Sequence, residues 1–167
     1  MKLDTPTTTL LRPYEAMVPL PIDSWQLGIR TNGDAVIEID FIDTPQLESI
    51  TPCAIAAEAA QQLQRYLDNP RWRFTLKLKL NGTPFQQRVW AALQTLPSGE
   101  TRSYGELAER LNSAARAVGG ACRSNPIAIM IPCHRVVAAQ GLGGFSGATA
   151  GSKLSLKQWL LEHESHI

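Results

Sequence analysis

Ser103-Tyr104-Gly105-Glu106-Leu107-Ala108-Glu109-Arg110-Leu111-Asn112-Ser113-Ala114-Ala115-Arg116-Ala117-Val118-Gly119-Gly120-Ala121-Cys122-Arg123 decides the fold of the second half of this chain. Ser103 and Glu106 have the spacing of a capping box, in which serine oxygen and glutamate carboxylate each satisfy a backbone N–H. Tyr104, Leu107, Ala108 and Leu111 then recur at helical spacing. Asn112-Ser113 interrupts, and Ser113 is expected to cap a further helix from Ala114 to about Arg123. Two short helices joined so tightly read as a helix-turn-helix. The apolar face of the second helix consists of small residues: Ala114, Ala117, Val118 and Ala121. Gly119 and Gly120 sit mid-helix, where each costs ~1 kcal/mol relative to alanine. Arg116 and Arg123 are two turns apart and share a face. Such a helix suits close contact with a DNA groove. It equally suits tight packing on a neighbouring helix with two solvated arginines, and pattern alone leaves both open.

Upstream, Thr83 is an N-cap with Pro84 at the first helical position, and Phe85, Val89, Trp90 and Leu93 form one face. Pro97-Ser98-Gly99 stops that helix. Downstream, Ile127-Ala128-Ile129-Met130-Ile131 reads as a buried strand or extended segment leading to Pro132-Cys133-His134-Arg135-Val136-Val137. Thiolate is the reactive form of cysteine, and cationic or basic neighbours lower its pKa. Cys133 is therefore the first candidate for covalent chemistry. The glycine-rich stretch 141–147 lacks the strand-to-helix context of a nucleotide fingerprint. Ser155, with Gln158 three residues on, is expected to cap a last helix carrying Leu156, Trp159, Leu160 and His163; His163 and His166 read as end-of-helix residues.

The first half has a different rhythm. Asn32-Gly33 is a two-residue hairpin signal, followed by Ala35, Ile37, Ile39 and Phe41 in alternation with Val36, Glu38 and Asp40. Residues 53–67 form an amphipathic helix ended by Asn69-Pro70, and Phe74, Leu76, Leu78 and Leu80 alternate as another strand. This half reads as a small α/β scaffold without a catalytic constellation. Asn81-Gly82 marks the boundary, giving domains 1–80 and 81–167.

Net charge is only +1, but residues 81–137 carry six Lys/Arg against three Asp/Glu, whereas residues 1–80 carry eight against ten. The local excess is compatible with phosphate binding. Cys53, Cys122 and Cys133 are widely spaced, with no zinc or redox pattern, so no metal is expected. The start of the chain lacks a leader pattern, and no run of about 18 apolar residues exists. The expectation is a cytoplasmic protein without a membrane span, and a monomer by default.

The second half closely resembles the O6-alkylguanine-DNA alkyltransferases. The matching segments are Gly82-Thr83-Pro84-Phe85-Gln86-Gln87-Arg88-Val89-Trp90, Ser103-Tyr104, residues 114–121, Asn125-Pro126, residues 131–137 and Trp159-Leu160-Leu161-Glu162-His163-Glu164. The resemblance implies an RNase H-like α/β N-terminal domain and a mainly α, winged-helix-like C-terminal domain with the helix-turn-helix. It implies one-turnover transfer of an alkyl group from guanine O6 in double-stranded DNA to Cys133, with no cofactor. It makes His134 the activating base, acting through a water because neighbouring side chains on extended backbone point apart. Glu164 would orient His134, and Tyr104 would donate to guanine N3. The Ser146 N–H would face O6, and the Cys133 and Val136 carbonyls would accept from the exocyclic amine. Lys157 matches a pocket lysine, and Asn125 the residue that holds the turn from recognition helix to active site. Arg116 would replace the flipped base in the stack. Ala115, Ala117, Gly119, Gly120, Arg123 and Arg135 would belong to the DNA-binding surface.

Two positions depart from the family pattern. Phe145 stands where tyrosine is common, keeping a stacking wall without the hydroxyl. The stretch from Ser146 to Trp159 is about five residues longer than in familiar members. Both touch the lip of the base pocket, which leaves O4-alkylthymine and bulkier adducts open as substrates. They also motivate a second reading, a lesion sensor that binds without efficient transfer. A third, a cysteine hydrolase using Cys133, His134 and Glu164, sits poorly with a helix-turn-helix.

Overall fold

The computed structural model describes residues 13–43 and 52–165. His166 and residues 1–12 therefore lie outside the described residues. Three strands, β1 (Ala16–Pro19), β2 (Gln26–Thr31) and β3 (Val36–Ile42), form an antiparallel sheet in that order. The β2–β3 hairpin lies where Asn32-Gly33 placed it, but its connection is four residues, not two. Thr31 pairs with Val36 after a register irregularity, and the Asn32 side chain accepts the N–H groups of Asp34 and Ala35. Gly33 supplies the positive φ of +87°.

Helix α1 (Ala54–Asp68) packs Ala56, Ala59, Leu63 and Tyr66 against β1 and β2. The expected strand at 74–80 does not form as a ladder. It is an extended segment joined to β3 through Val36, whose N–H donates to the Lys77 carbonyl and whose carbonyl accepts from the Lys79 N–H. Its leucines remain half-buried along a cleft of about 1060 Å³.

Helix α2 (Pro84–Gln94) starts on the expected cap, where Thr83 and Gln86 form a reciprocal capping box. Gly82 lies so close to Trp90 that a Cβ there would come within 2.5 Å of the indole ring. Trp90 in turn donates its Nε1–H to the Ala121 carbonyl at 2.9 Å, tying α2 to the helix-turn-helix. A short strand β4 (Arg102–Ser103) leads into α3 (Tyr104–Arg110), capped by Ser103 and Glu106 as read from sequence. Asn112 then takes a left-handed φ of +52°. Its N–H donates to the Glu109 carbonyl and that of Ser113 to Ala108, the bond pattern of a Schellman turn. Ser113 is thus spent ending α3. Helix α4 (Ala115–Arg123) has Ala114 at its N-cap and no side-chain cap, which corrects the expected Ser113 cap.

The run 127–131 is not a strand. Only Ile127 bridges β3, through Ile39. The chain then turns, with Ile129 at a φ of +67°. A β-branched residue there costs about 1–3 kcal/mol and persists only where its surroundings fix it. Here all five side chains are buried, and the Ile131 N–H donates back to Ile127. Strand β5 (Val136–Val137) pairs parallel with β4. Helix α5 (Ser152–Ser165) begins three residues before the expected Ser155 cap, and Ser155 lies within it. One apolar cluster spans both halves, from Leu27 and Ile39 through Leu63 and Trp90 to Ile127, Val136 and Leu160.

Candidate active site

Cys133, His134 and Arg135 form one 3₁₀ turn, not extended backbone as their sequence suggested. The turn precedes β5 directly, and β5 is bonded to β4, whose next residue is Tyr104. Main-chain hydrogen bonding therefore relates Cys133 to Tyr104. Asn125 fixes the approach to the turn: its Nδ2 donates to the Ile131 carbonyl at 2.8 Å, and its Oδ1 accepts the Ile127 N–H at 3.0 Å. One N–H and the oxygen of the amide thus bind the backbone on either side of the turn.

Cys133 keeps a partial opening to solvent. Burial pushes its thiol up, while a hydrogen bond with the Asn125 side chain, the charge of Lys157 and nearby backbone N–H groups pull it down. The resting nucleophile is accordingly a thiol. Cys122 on α4 shares this electrostatic neighbourhood and is pushed up to about 12, chiefly by burial.

Behind Cys133 lies a buried polar array. His134 Nε2 is 2.8 Å from Glu164 Oε1. Arg135 clamps the same carboxylate, with Nε donating to Oε2 at 2.9 Å and Nη2 to Oε1 at 2.7 Å, and a third donor goes to the Leu96 carbonyl. Burial opposes the Glu164 charge, but the bonds from His134 and Arg135 outweigh it and hold the carboxyl well below the ordinary range. Burial likewise pushes His134 down, aided by the Arg135 and Lys157 charges and opposed by Glu164. An ionised Glu164 takes the Nε2 proton as a hydrogen bond, leaving Nδ1 as the basic nitrogen of a neutral ring.

Arg135 is 9% exposed and its donors are spent inside the protein, which corrects its expected place on the DNA-binding surface. Tyr66, missed in the sequence, is the other addition: its hydroxyl donates to Glu164 Oε1 at 2.8 Å across 98 residues. Nothing local to Tyr66 signals this, since it occupies an ordinary buried position of α1.

Tyr104 faces the glycine-rich loop, and its hydroxyl donates to the Gly144 carbonyl at 3.3 Å. Burial first, then the negative charge that Cys122 and Cys133 carry once ionised, push it up to about 12. Lys157 Nζ bridges the Val136 and Gly144 carbonyls at 2.6 and 2.9 Å, and burial lowers it to about 8. Ser146 is exposed at a left-handed φ of +49°. Phe145 turns inward instead of standing as an open wall, 5% exposed and packed on Phe41 at 5.6 Å. The large cleft meets this array only at Arg135; neither Cys133 nor Tyr104 lines it.

On α4 only Val118 and Ala121 are fully buried. Ala114, Ala115, Arg116, Ala117, Gly120 and Arg123 are exposed, so of the small-residue face only Val118 and Ala121 pack inward and the rest is open. No atom lies within 4 Å of a Cβ built on Gly120, whereas one on Gly119 would reach the Tyr104 ring at 3.9 Å. Arg123 runs beside the glycine-rich loop at Gly147. Among the described residues no cluster of three His, Cys, Asp or Glu could hold a metal, and no helix is long and apolar enough to cross a membrane.

Residues 84–166 match the family description "6-O-methylguanine DNA methyltransferase, DNA binding domain". A methylated-DNA–protein-cysteine methyltransferase of Mycobacterium leprae is 53% identical over 113 residues, covering 66% of each chain. The constitutive one of Bacillus subtilis is 43% identical over 128 residues, covering 75% of this chain and 76% of that one. The aligned part thus spans just under two thirds of the mycobacterial relative and three quarters of the bacillary one. An O6-methylguanine methyltransferase structure from Mycobacterium tuberculosis superposes with a TM-score of 0.75 at 39% identity, covering 90% of this chain and 91% of that one. A Mycobacterium tuberculosis structure in complex with DNA gives a TM-score of 0.73 at 38% identity over the same shares. With the motif residues, the helix pair and this breadth of similarity in agreement, the chain belongs to the methylated-DNA–protein-cysteine methyltransferase family.

Proposed function

We propose that this protein repairs DNA by transferring the alkyl group of O6-alkylguanine to Cys133, once per molecule. The observation that carries this reading is the 2.8 Å His134–Glu164 contact, buried directly beside the half-exposed Cys133. In the proposed step His134 takes the Cys133 proton, through a water, and the thiolate attacks the alkyl carbon as its bond to O6 breaks. The thioether stays on the protein and guanine departs with the electron pair. A phenol held at about 12 keeps its proton at neutral pH, so Tyr104 serves as a hydrogen-bond donor to guanine N3 as charge develops. Its long bond to Gly144 is readily exchanged for that one. The Ser146 N–H would meet O6. The Val136 carbonyl already accepts from Lys157, leaving one lone pair for the exocyclic amine. Lys157 and Asn125 act by holding the loop and the turn, and Phe145 by supporting the pocket lip from within.

A duplex base must leave the stack to reach this thiol. Arg116, exposed on α4, would fill the gap, with Ala115, Ala117, Gly119 and Gly120 allowing the helix to approach the minor groove and Arg123 meeting phosphate. Helix α1 on an antiparallel sheet supports an RNase H-like reading of residues 1–80. The pair α3–α4 beside the β4–β5 pair supports a winged-helix-like reading of residues 81–167.

The test is intact mass after mixing the protein with a short duplex holding one O6-methylguanine. A single methyl added on Cys133, absent in Cys133→Ala, is the expected result. Binding without any adduct would overturn transfer in favour of the lesion sensor.

A further inference from the structure

Resting on the transfer reading, we propose that Tyr66 is a positioning residue: its hydroxyl sets the basicity of His134 through Glu164, making the N-terminal half part of the site. Glu164 Oε1 is shared by three groups, the Tyr66 hydroxyl at 2.8 Å, His134 Nε2 at 2.8 Å and Arg135 Nη2 at 2.7 Å. Oε2 takes Arg135 Nε. The oxygen that touches the base is therefore the one that Tyr66 loads.

Packing alone would not call for a tyrosine. The ring is 1% exposed, stands 5.8 Å from the Phe74 ring and edge-on to His163 at 5.3 Å, contacts that phenylalanine would also make. The His163 side chain is itself tied to the Tyr66 carbonyl, at 3.0 Å. A hydroxyl buried in such a place needs an acceptor. The fold gives it a carboxylate, whose negative charge each donor partly neutralises.

The direction follows. Without the hydroxyl, Glu164 carries a less neutralised charge, and it attracts a proton onto His134 more strongly. The charged and titratable groups around the pair otherwise stay in place: Arg135 on the same turn, Lys157 on α5 and Cys133 beside it. His134 must be neutral to accept the Cys133 proton. Tyr66→Phe should therefore move the acid limb of the single-turnover rate up by about half a pH unit. A more acidic phenol at the same position, 3-fluorotyrosine, donates more strongly and should move the limb down.

The experiment measures methyl transfer against pH for wild type, Tyr66→Phe and the 3-fluorotyrosine protein, and follows the His134 ring nitrogens by NMR in the same three proteins without DNA. Opposite displacements of both the rate limb and the ring titration are expected. Superimposable titration curves would overturn the proposal, even if Tyr66→Phe lowered the rate or the melting temperature. Should Tyr66→Phe not fold, the fluorotyrosine protein decides alone. Should wild type transfer no methyl group, the repair reading falls, and the ring titration still decides whether Tyr66 tunes His134.

Discussion

Glu164 joins α5 to the active-site turn and to α1, and its charge is matched inside the protein by Arg135. Glu164→Gln keeps the shape but leaves the guanidinium buried without a counter-charge. Breaking a buried pair on one side costs about 3–5 kcal/mol. Urea unfolding of Glu164→Gln should show a loss of that order, and single-turnover transfer should slow by at least tenfold, because the neutral amide no longer dictates the His134 tautomer. Residue type and adjacency marked Cys133 and His134 only as candidates, and their proposed roles came from the family resemblance. The inward aim of Arg135 was not legible in the sequence. On extended backbone it would alternate away from His134, but the 3₁₀ turn brings both onto the same carboxylate.

The helices were legible where local chemistry alone ends them. Ser103 with Glu106 is a closed loop of hydrogen bonds between near neighbours and appears as read; Thr83 caps α2 as read, and Gln86 completes a box that the sequence reading did not include. Ser113 was misread because two local motifs compete for it, and the left-handed Asn112 gives it to the end of α3. The 127–131 run deceived more deeply: apolar residues report burial, not backbone shape, and Ile129 takes its conformation from tertiary contacts. Two glycines make opposite predictions. Gly120 has open space around it, so Gly120→Ala should raise stability by about 1 kcal/mol in thermal unfolding. If α4 meets the groove as proposed, the same change should weaken duplex binding in a fluorescence titration, since the added methyl would stand on that surface. Gly82→Ala would drive a methyl into the Trp90 ring and should lower stability by about 1–3 kcal/mol.

Across the molecule, the halves are bound by groups far apart in sequence. Ile39 on β3 accepts from Ala128 and donates to the Pro126 carbonyl, Phe41 meets Phe145, and Tyr66 meets Glu164. No periodicity reports such partners, which is why the first half looked like scaffold alone. The buried array makes the whole fold sensitive to acid. The folded pKa of His134 lies below its unfolded value, so its contribution is present above about 6.5 and lost as pH falls. That of Glu164 is also depressed, so its contribution is present above about 4.3 and drains away in stronger acid. These two groups should therefore make the melting temperature fall in two stages as pH drops below about 7. Replacing His134 with a neutral residue should remove the upper stage only.

The parallel pair β4–β5 works as a caliper. Its two jaws are the residue that follows Ser103 and the turn that precedes Val136, and main-chain bonds set the gap between them. Exchanging side chains leaves that gap untouched. On the proposed transfer reading, room for a larger adduct would come from the rim at 141–151, where four glycines adopt positive φ.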